Sequence, residues 1–165
     1  MAYAEELLQL ARNLAQQNNQ SQAALRRAMS TAYYALFHLL VSEASANWSR
    51  EKLRPELGRL FQHARMKGAS KQLEDKAGKL MKDNQEHEQY VLTRALRLVA
   101  GTFVATQQHR EDADYNIRKT WTEPEVLDKI KDVEDALEAW TQIRNEDMAQ
   151  EYLLSLLGTR QRQDA

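Results

Sequence analysis

The sequence predicts an all-α fold, a helical bundle of about five to six helices with two long helices at its centre. Two observations lead to this prediction. Only 5 glycines and 2 prolines interrupt the 165 residues, while alanine, leucine and the long polar residues that favour helices dominate. Apolar residues also recur at three- and four-residue spacing along most of the chain. We therefore expect no β-sheet, and one domain over residues 1–158 followed by a frayed tail at 159–165.

The first two predicted helices include the most apolar part of the chain. A first helix is expected over residues 3–17, where the polar residues that follow end it. Ser21 has the position of an N-cap for a longer second helix. Because the middle of that helix is apolar on nearly every side, we expect it to be the most buried element. Its stripe comprises Leu25, Ala28, Met29, Ala32, Tyr33, Leu36, Leu39 and Leu40.

The next segment has a weaker helical pattern. Residues 48–55 are expected to form a connection, with Pro55 in the first turn of a short helix over residues 56–66. The inward side chains of that helix would be Leu57, Leu60, Phe61 and Ala64. Residues 67–88 are polar and contain two glycines, so we expect a mobile excursion with marginal helix there.

Regular periodicity returns over residues 88–113. This stretch predicts a second central helix, nearly as long as the first. Its inward face would comprise Val91, Ala95, Leu98, Val99, Thr102, Phe103, Thr106 and Arg110.

The last part of the chain predicts two further helices. After a turn at residues 116–121, Thr122 and Glu125 have the spacing of a capping box, so a new helix begins there. That helix has a single apolar stripe, formed by Val126, Ile130, Val133, Leu137 and Trp140. A short last helix is expected to end before Gly158.

Charge is distributed unevenly along a chain whose formal net charge is only −1. Residues 50–82 contain ten Lys and Arg against four Asp and Glu, a balance of +6, whereas residues 111–151 contain five against thirteen, a balance of −8. Two explanations stay open. Either the two segments pack as complementary neighbours, or the basic segment binds nucleic-acid phosphates or an acidic partner.

Several classes of site are absent from the sequence. The chain has no cysteine, so it offers neither a disulfide, nor a thiolate nucleophile, nor a cysteine metal site. Its four histidines lack metal-ligand spacing, and neither a glycine-rich phosphate loop nor a serine-nucleophile motif is present. We expect no metal ion and no cofactor. Without a signal-like N-terminus or an apolar run of about 18 residues, we expect a cytoplasmic protein without membrane contact.

Polar side chains lie on faces of the two long helices that ought to be buried. Ser30, Tyr34 and His38 follow one another at four-residue spacing, which places them on one edge of the second helix. Arg110, Asp114 and, one step round the helix, Tyr115 form a comparable edge at the C-terminal end of the other long helix. Either these residues form a hydrogen-bonded core network, or the two edges converge on one cleft.

Two segments on these edges resemble a known family. Residues 28–38 have the sequence AMSTAYYALFH, which is similar to the second-helix signature of HEPN domains, in which a small residue and Ala-Tyr-Tyr-Ala precede a Phe-His pair. Residues 110–115 have the sequence REDADY, which resembles the Arg-x-Asp/Arg-Ala-Asp-Tyr segment at the end of that superfamily's other long helix. The order, the spacing and the helix lengths agree as well, and the resemblance spans residues 7–140.

The HEPN resemblance implies a helical bundle that forms a homodimer. Many HEPN domains are metal-independent ribonucleases that use an Arg, four further residues and then a His. Arg110 matches that Arg, but Tyr115 occupies the position of the His. A tyrosine hydroxyl is protonated at neutral pH and is a poor general base, so whether the chain is an enzyme stays open. The resemblance also implies a setting in toxin–antitoxin or phage-defence systems, with a cognate antitoxin protein as a partner.

The candidate site residues come from separate parts of the chain. The candidate catalytic residues are Arg110, His38 and His63, and the candidate ligand-binding residues are Ser30, Tyr34, Asp114 and Tyr115. His63 stands where similar proteins carry an Arg…His-Ala element. Each of the first three has a structural alternative: core packing for His38, a surface or loop-anchoring role for His63 and an ion pair within the bundle for Arg110.

These residues lead to three functional hypotheses. The first is binding of RNA or a nucleotide, in which Arg110 contacts phosphate and an aromatic ring stacks on a base. The second is a metal-independent ribonuclease in which His38 or His63 deprotonates the ribose 2′-hydroxyl while Arg110 stabilises the phosphate. The third is a non-catalytic helical adaptor or dimerisation module.

Overall fold

The computed structural model describes residues 1–83 and 87–158 and confirms the all-α prediction. Within these ranges the chain forms seven α-helices and no β-strand. The helices are α1 (Ala2–Ala15), α2 (Gln22–Ala46), α3 (Arg54–Gly58), α4 (His63–Asp83), α5 (His87–Tyr115), α6 (Glu123–Ile143) and α7 (Asp147–Ser155), and a 3₁₀ turn at Glu51–Leu53 precedes α3. None of these described helices has both the length and the apolar character needed to cross a membrane. The tail predicted at 159–165 lies outside the described residues.

The helix α2 is the centre of the bundle, as its apolar sequence predicts. The side chain of Ser21 accepts a hydrogen bond of 3.1 Å from the backbone N–H of Ala24, which confirms the predicted N-cap. Every residue of the predicted stripe is buried. Because α2 packs against α1, α5 and α6, its polar edge lies beside the C-terminal end of α5 and the start of α4.

The helix α6 packs beside both α2 and α5. Its capping box is present, since Thr122 and Glu125 hydrogen-bond reciprocally, and its predicted apolar stripe is buried throughout. Trp140, at the end of that stripe, donates a 3.0 Å hydrogen bond from Nε1 to Glu43 of α2. The helix is therefore fixed to α2 by apolar burial and by a polar contact.

The predictions for residues 56–88 are wrong in two respects. The helix that starts near Pro55 ends at Gly58 and not at residue 66. Of the side chains predicted to face inward, Phe61 is buried, whereas Leu60 and Ala64 are exposed. Residues 67–83 are not a separate excursion either, because they continue α4. The small and apolar side chains of α4 pack against α5 and α7, and this tertiary packing outweighs the weak local propensity.

The helix α5 also differs from its predicted pattern. Its C-terminal half buries Val99, Thr102, Phe103 and Thr106 as predicted, whereas Val91 and Leu98 are exposed. Both exposed side chains line a groove of about 670 Å³ between α4, α5 and α6. The N-terminal half of α5 therefore faces partly onto an open groove, where the sequence pattern predicts core.

The two oppositely charged segments are joined by few charge pairs. Of the ion pairs in the described part of the chain, one links residues 50–82 to residues 111–151, with Lys67 Nζ 3.9 Å from Glu111 Oε2. The acidic side chains of α6 pair instead with Arg12 of α1 and with lysines of α6 itself. Most basic side chains of residues 50–82 therefore have no acidic partner from the acidic segment.

Candidate functional site

Arg110 lies near the C-terminal end of α5 and faces the middle of α2. Its Nε lies 3.1 Å from Asp114 Oδ2, one turn later, and its Nη2 donates a long hydrogen bond of 3.4 Å to the Tyr34 hydroxyl. Its Cζ lies 5.7 Å from the ring centroids of both Tyr33 and Tyr34, within the range of cation–π attraction. Only 17% of the Arg110 side chain is exposed. The guanidinium is thus held between two tyrosine rings and a carboxylate.

Asp114 connects the end of α5 to α2. Its Oδ1 accepts a hydrogen bond of 2.5 Å from the hydroxyl of Ser30, and Ser30 is buried. Its Oδ2 is the oxygen that faces Arg110. Because both oxygens are engaged, the carboxylate is fixed and can orient the guanidinium.

His63 is the first residue of α4, and the turn after α3 brings it to the same place. Its ring stacks on Phe37 with a centroid distance of 4.4 Å and an interplanar angle of 25°. Its Nδ1 lies 2.5 Å from the hydroxyl oxygen of Tyr33, and the ring centroid of Tyr34 is 6.0 Å away. The start of α4 therefore contributes a histidine to a site built mainly by α2 and α5.

His38 lies one turn beyond Tyr34 on α2. Its ring centroid is 6.1 Å from that of Tyr34 and 5.4 Å from that of Phe37. On its other side it meets the ring of Tyr3 from α1, at 5.1 Å and an angle of 65°, an edge-to-face contact of the kind aromatic pairs prefer. His38 thus links the residues around Arg110 to α1.

Burial controls the protonation of the titratable rings. It raises the pKa of Tyr33 far above the ordinary value, and it lowers the pKa of His38. The pKa of His63 is lowered by burial and then by the positive charge of Arg110. Both imidazoles are therefore neutral at pH 7. Since Tyr33 keeps its proton, its hydroxyl can donate to Nδ1 of His63; in that tautomer, which we adopt below, the imidazole carries its single proton on Nε2.

Arg110 keeps its charge and has donors to spare. Burial acts to lower its pKa, but the neighbouring Tyr34 and Asp114 raise the pKa by more. None of the hydrogen bonds in the described part of the chain uses its Nη1, and its Nε is not aligned for a hydrogen bond with Asp114. Arg110 also borders an open surface depression, whose other lining residues are Gln108, Glu111, Asp112, Tyr115 and Asn116.

All of the predicted site residues except Tyr115 lie in one connected cluster. This group, called the Arg110 cluster below, comprises Ser30, Tyr33, Tyr34, Phe37, His38, His63, Arg110 and Asp114. The side chain of Tyr115 is 74% exposed, and it borders the cluster only at the depression beside Arg110.

Reasoning from the sequence missed three aromatic residues in or beside the Arg110 cluster, namely Tyr33, Phe37 and Tyr3. Tyr33 belongs to the predicted core stripe and is indeed fully buried, yet its hydroxyl reaches His63. The four-residue spacing from Tyr33 to Phe37 is the signal that could have placed both beside the polar edge. Nothing in the sequence links Tyr3 to His38, because their contact depends on how α1 packs against α2.

Other features of the molecule lie apart from this cluster. The groove of about 670 Å³ is on a different face of α5, and its lining includes no member of the Arg110 cluster. In residues 1–83 and 87–158, no group of three or more His, Asp or Glu side chains is arranged to hold a metal ion. Comparisons of the chain with protein-family models, with curated proteins and with solved structures found no match. The geometry of the Arg110 cluster is therefore the basis for assigning a function.

Proposed function

We propose that this chain is a HEPN-like protein that binds RNA or a nucleotide, with a phosphate group held by Arg110. The observation that carries the proposal is the state of Arg110, a largely buried guanidinium that is oriented on one side and has unused donors. A guanidinium presents planar, paired N–H donors that match the oxygens of a phosphate.

The surroundings of Arg110 favour an anion as the ligand. His63 presents an Nε2–H donor beside the ring of Tyr34, the residue that also contacts Arg110. The helix α4 begins at His63, and the free amides of a helix N-terminus carry partial positive charge. Asp114 is already engaged by Ser30 and Arg110, so its charge is largely compensated within the site.

The aromatic side chains around Arg110 favour a nucleotide over a simple anion. The rings of Tyr34, Phe37 and His38 are half-buried and contact one another. Unpaired bases stack on such rings, and arginine contacts the accompanying phosphate. The basic side chains of residues 50–82 that lack acidic partners add long-range attraction for a nucleic acid. A role in toxin–antitoxin or phage-defence systems, as the HEPN resemblance implies, belongs to the same proposal.

Metal-independent ribonuclease activity is a second candidate function, and one observation favours it. Because the pKa of His38 and that of His63 are both lowered by burial, each ring can accept a proton from a ribose 2′-hydroxyl at neutral pH. In the tautomer adopted above, Nδ1 of His63 already accepts a hydrogen bond from the Tyr33 hydroxyl and Nε2 carries the proton. His38 is therefore the better base of the two. Arg110 would then stabilise the negative charge of the pentacoordinate phosphate.

RNA affinity with and without Arg110 tests the proposed function. A fluorescein-labelled single-stranded RNA of mixed sequence is titrated in EDTA, and anisotropy is followed for the parent chain, Arg110→Ala and Arg94→Ala. The control Arg94 is exposed on the same helix and lines the separate groove. We expect Arg110→Ala to bind about 10- to 150-fold more weakly, since a hydrogen bond to a charged group contributes about 1.5–3 kcal/mol. Arg94→Ala should bind like the parent; equal affinity of all three proteins would contradict the proposal.

Gel analysis of the same RNA separates binding from cleavage. If the parent cuts RNA in EDTA while Arg110→Ala and His38→Gln do not, the ribonuclease candidate is supported. If the parent binds RNA but leaves it intact, the protein is a binding module. If it neither binds nor cuts RNA, the adaptor hypothesis replaces both.

A further inference from the structure

A row of rings leads away from Arg110 across the surface of α2 and α1. It starts at Tyr34, whose ring centroid is 5.7 Å from Arg110 Cζ. His38 follows one turn later, with its centroid 6.1 Å from that of Tyr34 and the ring planes inclined at 33°. Tyr3 of α1 comes next, 5.1 Å from His38. We call Tyr34, His38 and Tyr3 the ring row.

The exposure of the ring row increases with distance from Arg110. Tyr34 and His38 are half-buried, while Tyr3, at the end farthest from Arg110, is 56% exposed. The imidazole in the middle is uncharged at pH 7, because burial lowers the pKa of His38. The row therefore combines three partly exposed rings with one cation, a combination that suits bases attached to a phosphate better than it suits a string of anions.

We propose that the ring row is a stacking surface for the unpaired bases of a single-stranded RNA whose phosphate is bound at Arg110. This inference rests on the proposed function and adds a direction and a length to it. The strand runs from Arg110 along α2 towards the first turn of α1. With one ring for each base, the site spans about three nucleotides.

A single strand is required because ring faces contact base faces, which a duplex keeps inside its own stack. The separations of 6.1 and 5.1 Å between neighbouring rings allow consecutive bases of one strand to contact consecutive members of the row. Stacking on aromatic side chains tolerates every base. The row should therefore increase affinity with strand length without imposing a sequence.

Calorimetric titration with ligands of different length tests the ring row. The ligands are adenosine 5′-monophosphate, the 5′-phosphorylated trinucleotide of adenosine and a blunt RNA duplex. The proteins are the parent chain, Tyr3→Ala, Tyr3→Phe, Arg110→Ala and Leu10→Ala. Tyr3→Phe keeps the ring, and Leu10 is a matched control because it is an exposed apolar residue of the same helix.

The parent should bind the trinucleotide at least about 5-fold more tightly than the mononucleotide and the duplex, since each stacked base contributes about 1–3 kcal/mol. Tyr3→Ala should lose about 5- to 150-fold in affinity for the trinucleotide and none for the mononucleotide. Tyr3→Phe and Leu10→Ala should match the parent, and Arg110→Ala should lose both ligands. Circular dichroism checks that each variant is folded.

The possible failures are distinguishable. Trinucleotide affinity that is the same in Tyr3→Ala and the parent overturns the ring row, while loss of the mononucleotide in Arg110→Ala keeps the phosphate site. A loss in Tyr3→Ala that is equal for both ligands also overturns the row, because Tyr3 would then act through the packing of α1. A parent that binds neither ligand overturns the ring row and the proposed function together.

Discussion

Two polar networks contact α2, and they differ in how completely their hydrogen-bonding groups are used. At the C-terminal end of α2, Glu43 is only 9% exposed and both of its oxygens are occupied. Its Oε2 accepts from Trp140 Nε1 and Arg144 Nε, both at 3.0 Å, and its Oε1 accepts from Arg144 Nη2 at 2.8 Å. This network holds α6 against α2 and leaves neither oxygen of the buried carboxylate free.

In the Arg110 cluster, at the middle of α2, the hydrogen-bonding groups of the guanidinium are used less completely than those of the Glu43 carboxylate. The contact from Arg110 to Tyr34 is long at 3.4 Å, its Nε is not aligned with Asp114, and no described hydrogen bond uses its Nη1. A satisfied network stabilises the fold, whereas one with spare donors is ready for a partner from outside the chain. From this difference we expect the Glu43 network to act mainly in stability, whereas the proposed function assigns the Arg110 cluster to ligand binding.

Removing Arg144 should give the largest loss of stability. Arg144→Ala leaves the buried carboxylate of Glu43 without its counter-ion, and breaking such a pair costs about 3 kcal/mol of unfolding free energy. Urea denaturation followed by circular dichroism measures the change. The matched control is Arg12→Ala, which breaks the ion pair of Arg12 with Glu134, a carboxylate that is more exposed than Glu43, and should cost less than about 1 kcal/mol. Equal costs for the two variants would remove the contrast between buried and exposed pairs.

Removing one hydroxyl from the Arg110 cluster should have a smaller effect. Tyr33→Phe keeps the buried ring but deletes the donor to His63 Nδ1, and a lost hydrogen bond of this kind costs about 1 kcal/mol. The unfolding free energy should fall by that amount. A loss as large as that of Arg144→Ala would show that the cluster is as structural as the Glu43 network.

Acidification should destabilise the protein gradually, through the histidines. The pKa values of His38, His63 and His109 are all lowered from the ordinary value of 6.5 by burial, so the unfolded chain binds protons that the native chain does not. Their contribution is fully present above pH 6.5 and is lost as the pH falls from there through the lowered native values. The melting temperature should therefore decrease from pH 7.5 to pH 5.5, and His63→Gln should make that decrease shallower. A melting temperature that rises over this interval would contradict the assignment of neutral, buried rings.

The parts of the fold that local chemistry determines could be predicted from the sequence. Ser21 and Thr122 cap the helices that their side chains predict, and the apolar stripes of α2 and α6 are buried. The continuity of α4 was not predictable, because its weak propensity is outweighed by packing against α5 and α7. Leu98 is apolar and in phase with the core, yet it faces a groove, since periodicity does not reveal which face of a helix stays uncovered.

The candidate site, like the fold, could be predicted from the sequence only in part. Ser30 and Asp114 could be expected to meet, because each lies on a polar edge of a long helix and the two helices pack together. The contact between Tyr3 and His38 could not be foreseen, since it depends on the packing angle of α1. The position of Tyr115 on the edge of α5 and the HEPN segment both predict it at the site; its side chain is exposed beside the Arg110 cluster.

The RNA affinity of Arg110→Ala, compared with that of Arg144→Ala, tests the division between the two networks most directly. Both variants remove one arginine that contacts a carboxylate beside α2. Arg110→Ala should lower RNA affinity by about 10- to 150-fold and should cost less unfolding free energy than Arg144→Ala, because the carboxylate of Asp114 is more exposed than that of Glu43. Arg144→Ala should do the reverse, binding RNA like the parent under conditions where it is folded. Parent-like RNA affinity in Arg110→Ala, together with a stability loss as large as that of Arg144→Ala, would contradict the account.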